Sequence, residues 1–157
     1  MDCTFQTPKG TFNYRVAAIV ERKGKVLAMR EEHLSHWYLP GGRVRLQESA
    51  QQALLRELRE ELSLPGKILR PLWLNQAFYP LDGVGQVHEM CLYFLMELPL
   101  EGLPAGEEFS LKDSDGVTHL YHWFSRDDLQ GLPLYPAFLK EEWPNLPESL
   151  QLREEWE

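Results

Sequence analysis

Glu57, Glu60 and Glu61 stand at i, i+3 and i+4 of one polar run, and on an α-helix that spacing turns three carboxylates to one side. Like charges so placed repel. Two readings account for them. One is a solvated helix face neutralised by Arg56 and Arg59. The other is a site for a hard cation, because Mg²⁺ takes a few carboxylates together with waters and substrate phosphates. A cation held there would neutralise such phosphates and lower the pKa of a coordinated water.

The elements around these residues decide how they are presented. The run from Glu48 to Leu62 has no Gly or Pro and is dense in Ala, Leu, Glu, Gln and Arg, so it predicts a helix. Ala50, Ala53, Leu54, Leu58 and Leu62 recur at spacings of three and four and define its buried face, which leaves the carboxylates to the rest of the circumference. Upstream, Phe12 to Val20 and Lys25 to Arg30 read as a strand pair. Trp37-Tyr38-Leu39-Pro40-Gly41-Gly42 is a turn, with Arg43-Val44-Arg45 as a short strand after it. Downstream, Ile68 to Tyr79 and Val87 to Leu98 are strands joined by Leu-Asp-Gly-Val-Gly. Pro99 to Gly116 is a long acidic loop, and Val117 to Phe124 is a last strand, followed by a helical turn capped by Ser125. The tail from Tyr135 to Glu157 reads as two helical pieces broken at Pro144 and Pro147. Periodicity alone supports a mixed α/β or α+β class.

The spacing of Gly42, Glu48 and Arg56-Glu57-Leu58-Arg59-Glu60-Glu61 resembles the Nudix box, the signature of the Nudix (MutT-like) hydrolase family. At residue frequencies of roughly 5–7%, six fixed positions match a given window by chance about once in 10⁷. The preceding Trp37 to Gly41 resembles the usual entry to the box. The resemblance implies one Nudix domain over residues 1–157 with the box at 42–64, and a mixed β-sheet sandwiched between helices. It also implies Mg²⁺ as cofactor, with Mn²⁺ able to replace it. Gly41 would lend its carbonyl to the ion, Glu60 and Glu61 would be the main ligands, Glu57 a further ligand or the base, and Arg56 would orient the carboxylates. Glu48 reads equally well as a helix-start residue. Ser63 stands where the family usually has Gly, a position expected to be left-handed.

The implied reaction is hydrolysis of a nucleoside diphosphate linked to another moiety, as in a nucleotide sugar, ADP-ribose or a dinucleoside polyphosphate. Pyrophosphatase action on damaged nucleoside triphosphates and non-catalytic nucleotide binding remain open beside it. Outside the box, Arg43 and Arg45 are candidates for phosphate oxygens, and Phe78, Tyr79, Trp123 and Tyr135 for stacking on a base. His88 and Glu89 could line the cleft. Some family members place a carboxylate before a strand Trp, but here His122 precedes Trp123. Glu107, Glu108, Asp113 and Asp115 are therefore the substitutes to test.

Bulk properties narrow the partners. A net charge of −8 disfavours long nucleic acid but suits a small phosphorylated substrate met through cations. Cys3 and Cys91 are the only cysteines and lie far apart, so neither a disulfide framework nor a thiolate metal site is expected. No apolar stretch is long enough for a membrane span, and no leader-like segment opens the sequence. The expectation is a cytoplasmic protein with no membrane partner. A homodimer is compatible with all of this.

Overall fold

The computed structural model describes residues 1–157. In chain order the elements are β1 (Thr4–Thr7), β2 (Gly10–Arg22), β3 (Lys25–Glu31), β4 (Trp37–Tyr38), β5 (Gly41–Arg43), α1 (Ala50–Leu62), β6 (Lys67–Leu81) and β7 (Gly85–Glu97). Then come β8 (Glu108–Lys112), β9 (Thr118–Phe124), α2 (Arg126–Leu129), β10 (Leu134–Tyr135), α3 (Leu139–Glu142) and β11 (Gln151–Trp156). The main path across the sheet is β10-β4-β3-β2-β7-β6-β11. β2 runs parallel to β7 from Thr11↔Val87 to Val20↔Met96, β7 and β6 form an antiparallel hairpin, and β11 lies parallel to β6.

Alternation along β2 explains why both faces of the sheet are covered. Val16, Ala18 and Val20 point to the side where α1 packs, with Leu54, Leu58, Phe94, Met96 and Trp123. Ala17 and Ile19 point to the other side, where Trp73 and Tyr93 meet Leu129 of α2, Leu139 of α3 and Trp143. A mixed sheet between helices results, as the family resemblance implies. No helix is long and apolar enough to cross a membrane.

The β2–β3 hairpin carries the cleft. Lys23 and Gly24 both have positive φ, 49° and 77°, the combination of a tight hairpin turn. Yet the two strands pair only at Glu21↔Val26 and Arg22↔Lys25. Beyond those pairs β3 turns to β9, and β5 takes the vacated edge of β2 through Ala17↔Gly41 and Arg15↔Arg43. This departure of β3 from β2 leaves the opening into which the Gly41-Gly42 loop and the end of α1 project.

Three readings of the sequence are corrected. α1 begins at Ala50, because Ser49 is its N-cap: its Oγ accepts from Gln52 N–H while the Gln52 side chain accepts from Ser49 N–H. The acidic run from Pro99 to Gly116 is not all loop; it holds a 3₁₀ turn at Leu100–Gly102 and strand β8, which pairs with β9 from Glu108↔His122 to Lys112↔Thr118. The tail has one short helix and then a strand. Its Glu-rich composition favours helix locally, but pairing with the open edge of β6 outweighs that propensity. The N-terminal strand β1, paired with β2, had no hydrophobic signal of its own.

At the C-terminus of α1, Ser63 takes φ 56°, ψ 32°, and its N–H donates to Arg59 O. A left-handed non-Gly residue costs about 1 kcal/mol. Ser63→Gly is therefore expected to raise stability by roughly 0.5–1 kcal/mol, read as a higher urea midpoint with an unchanged slope.

Candidate active site

A cleft of about 830 Å³ opens between the α1 end, the Gly41-Gly42 loop and the exposed part of the sheet. Glu57, Glu60 and Glu61 line it, as do Gly41, Gly42, Arg43, Arg45 and Tyr79. α1 delivers the three carboxylates into different surroundings. Glu60 is the most open of them, Glu57 is half-buried, and Glu61 is 7% exposed. The helix was expected to hold its carboxylates away from the buried face, but Glu61 lies at the rim of that face beside Leu58 and Leu62.

The two glycines of the loop explain how helix and sheet are fitted together. Gly41 has φ 150°, and a Cβ there would sit 2.1 Å from Val16 O in the neighbouring strand. Its N–H points to Glu61, 3.3 and 3.4 Å from the two carboxylate oxygens. A Cβ on Gly42 would fall 2.4 Å from the Glu57 carboxyl carbon. Backbone thus lies directly against two carboxylates: at Gly41 the neighbouring strand leaves no room for a side chain, and at Gly42 a side chain would displace the Glu57 carboxylate.

Arg56 fixes the outer part of the site. Its guanidinium donates to both Glu48 oxygens at 2.7 and 3.0 Å, to Glu57 at 2.8 Å and to Arg43 O at 3.0 Å, with Glu60 at 3.4 Å. Glu48 in turn accepts from Arg45 N–H at 2.9 Å. The Glu48–Arg56 pair holds the Glu48 carboxyl below its ordinary value, first through the side-chain hydrogen bond, and holds the Arg56 guanidinium above its own. The structural reading of Glu48, as a residue that anchors the loop to the helix, accounts for all of these contacts.

Burial acts the other way on the inner carboxylates. Desolvation raises the Glu57 pKa, opposed by Arg56 and reinforced by Glu60. Glu61 is raised well above its ordinary value, chiefly by burial and then by the Glu57 charge. Its only side-chain hydrogen bonds are the two long ones from Gly41 N–H. Tyr38, beside it in the cleft, is pushed up to about 12 by burial and by Glu31 and Glu61.

The other sequence candidates divide. Arg43 and Arg45 reach the cleft; Arg45 lies 3.7 Å from Glu60 and 4.0 Å from Asp2, and Arg43 lies 3.8 Å from Asp2. Tyr79 donates its hydroxyl to Glu89 at 3.1 Å, and Phe78 and Tyr135 also line the cleft. Trp123 does not: it is fully buried in the α1-side core, with Arg22 stacked on its ring, so it has no face for a base. His88 is on the opposite face of β7 from Glu89 and packs between Phe12 and Phe78, away from the carboxylates. Among the four acidic candidates after Pro99, Glu107 is taken up by Lys25 and Glu108 by His122. Asp113 and Asp115 line the cleft.

Sequence reading named Asp113 but missed His119, Glu31 and Arg15, which the fold brings in with it. The β8–β9 turn is tied to the helix by Ser114 N–H donating to Glu60 O. That turn sets Asp113 3.7 Å from His119, a buried imidazole 3.8 Å from Glu31 on its other side. Arg15, 3.9 Å from Glu89, lies on the cleft face of β2. The available signal for Arg15 was a polar residue at alternate strand positions, Asn13 and Arg15, ahead of the apolar Ala17 and Ile19.

A NUDIX domain model matches residues 11–146, which includes the loop, α1 and every strand but β1 and β11. The chain belongs to the Nudix family. Among solved structures the Nudix chain is similar to an ADP-ribose pyrophosphatase from Streptococcus suis, with TM-score 0.61 and 23% identity over 90% of this chain and 98% of that one. It is also similar to a NUDIX hydrolase from Nitrosomonas europaea, with TM-score 0.63 and 16% identity over 98% and 81%. At these identities the likeness is one of fold. By sequence, 57 residues are 46% identical to the CTP pyrophosphohydrolase of Escherichia coli, covering 34% of this chain and 42% of that one. The chain matches less than half the length of such curated relatives.

Proposed function

We propose that this Nudix protein is a metal-dependent hydrolase that cleaves a phosphoanhydride bond in a nucleoside diphosphate linked to another moiety, of the nucleotide-sugar, ADP-ribose or dinucleoside-polyphosphate class. The observation that carries the reading is the fit of the Gly41-Gly42 backbone against Glu61 and Glu57. A purely solvated acidic face has no need of that fit.

The donor set suits a hard cation. No three acidic, His or Cys side chains, the α1 carboxylates included, lie close enough together to hold a metal ion by themselves. Mg²⁺ does not require such a set, since it keeps several waters and is held by one or two carboxylates plus substrate oxygens. Glu61 is a buried carboxylate with only long hydrogen bonds and a like charge beside it, an arrangement that costs free energy until a cation joins it. Glu60 and Glu61, with the Gly41 carbonyl, would hold the ion, and Glu57 would stand beside it. Bound there, it would neutralise the diphosphate and make water more acidic.

The residues have separable tasks in this reading. Glu57, its pKa raised by burial, accepts the proton from the attacking water, while Arg56 keeps its carboxylate aimed and ionised. Arg43 and Arg45 bind phosphate oxygens at the mouth of the cleft, and Arg15 offers a third guanidinium deeper in it. Tyr79, with its hydroxyl already committed to Glu89, presents a ring to the nucleoside.

The test is product analysis by mass spectrometry on nucleotide sugars, ADP-ribose, dinucleoside polyphosphates and nucleoside triphosphates, with Mg²⁺, Mn²⁺ or EDTA. Cleavage of one diphosphate-linked class, abolished by EDTA, is expected. The 46% identity to a CTP pyrophosphohydrolase makes the triphosphates the second class to compare. Preferential cleavage there would replace the first substrate class, and tight nucleotide binding without cleavage would replace the enzyme reading.

A further inference from the structure

β11 is the last strand of the sheet, and its outer edge is unpaired. Edge strands are normally blunted by charged side chains, Pro, bulges or a covering element. β11 carries the charges of Arg153, Glu154 and Glu155 but no Pro, bulge or covering element: Gln151-Leu152-Arg153-Glu154-Glu155-Trp156 contains no Gly, Pro or Lys and keeps unbroken register with β6 from Gln151↔Trp73 to Trp156↔Phe78. Leu152 is 72% exposed and Trp156 70%. Trp156 stacks on Phe78 at 3.9 Å, so it is held in place with its outer face free.

The direction of the backbone fixes what this edge can accept. Glu157 N–H donates inward to Phe78 O. In a parallel ladder such bonds alternate, so Gln151, Arg153 and Glu155 share that inward direction, and the backbone groups of Leu152, Glu154 and Trp156 face outward. A two-fold axis through Glu154 would pair these three residues with the same three of a second copy, as Leu152 with the partner's Trp156, Glu154 with the partner's Glu154, and Trp156 with the partner's Leu152. Both apolar side chains are then covered on one face. On the other face Arg153, which donates to Glu142 at 2.8 Å within its own chain, lies opposite the partner's Glu155, whose carboxylate accepts from Asn75 at 2.7 Å, so this pairing sets unlike charges side by side without requiring a new ion pair. The apolar match, with no like charges directly opposed on the Arg153 face, therefore selects one register. The Glu154 pair is its one repulsive contact.

We propose that the protein forms a homodimer by antiparallel pairing of β11 with β11 of a second copy, centred on Glu154. The cleft is affected directly, because Glu155 and Glu157 line its far wall. Each copy thereby sets Arg153 beside the acidic wall of its neighbour's cleft. This pairing is independent of the proposed reaction and can be tested without a substrate.

The test uses the full chain. Light scattering is expected to give twice the 18.3 kDa chain mass, and Leu152→Glu to return it to the monomer mass with an unchanged circular dichroism spectrum. In a Cys3→Ser background, Glu154→Cys is expected to form a disulfide-linked dimer under mild oxidation. Directly hydrogen-bonded antiparallel partners have Cα atoms about 5.5 Å apart, within disulfide reach. Gln151→Cys, whose mate in this register is far along the strand, is expected to stay unlinked. A monomeric wild type, a dimer that survives Leu152→Glu, or a dimer that Glu154→Cys fails to link would each overturn the proposal.

Discussion

Replacing Glu61 by Gln is expected to lower kcat/KM by at least ~10²-fold while making the metal-free protein more stable. Substituting residues that merely support a metal ligand already costs 10–100-fold, and Glu61 is proposed to touch the ion itself. Gln keeps the shape and still accepts from Gly41 N–H, but it removes a charge that is 93% hidden from water and faces Glu57. Relief of an uncompensated buried charge is expected to be worth roughly 1–2 kcal/mol, or a few degrees in Tm for a chain of this size. A stabilising substitution that abolishes activity separates a site carboxylate from a structural one, whose loss would lower both.

The pH dependence carries the same signature with a definite sign. Burial raises the folded-state pKa of Glu61, and less strongly that of Glu57, above the unfolded value of 4.5. In the window above that value the folded state binds more protons than the unfolded state, so stability falls as pH rises. The contribution is complete below pH 4.5 and is lost as pH climbs through the raised folded value. The difference in Tm between Glu61→Gln and wild type in EDTA is therefore expected to widen from acid to neutral pH. Mg²⁺ should close it by binding the ionised folded form. A gap that narrows as pH rises would place the Glu61 shift in the opposite direction.

The sequence revealed the parts of this protein whose signals are local. α1 was legible because Ala50, Ala53, Leu54, Leu58 and Leu62 repeat at helical spacing and no Gly or Pro intervenes. The acidic triad was legible for the same reason, since helix geometry alone sets how far apart i, i+3 and i+4 lie. What stayed hidden depends on contacts distant in sequence. Glu107 and Asp113 look alike in an acidic run, but pairing of β8 with β9 sends one to Lys25 and the other to His119 in the cleft. Trp123 and Tyr79 are both aromatic residues on strands, and only the choice of sheet face separates a core residue from a cleft residue. β11 was concealed by its glutamates: the helix preference of Glu154 and Glu155 is weak beside the hydrogen bonds that an open β6 edge provides.

Gly42→Ala isolates the geometry on which the functional reading rests. Gly42 has no positive φ, so alanine is compatible with its backbone. The added methyl would meet the end of the Glu57 side chain, with the carboxyl carbon at 2.4 Å and the two oxygens at 2.4 and 2.7 Å. A flexible side chain can yield, so the fold is expected to lose little, within ~1 kcal/mol. The carboxylate would have to move by more than an ångström and would leave its 2.8 Å contact with Arg56. Displacement of a reacting group by about 1 Å costs on the order of 10²-fold in rate. If Glu57 is the base, the loss should fall mainly on kcat, with KM nearly unchanged, because Arg43 and Arg45 still hold the phosphates. A drop confined to KM would instead make the loop a substrate contact and remove Glu57 from the chemical step. Wild-type kinetics in Gly42→Ala would show that close packing of backbone against carboxylate has no part in catalysis.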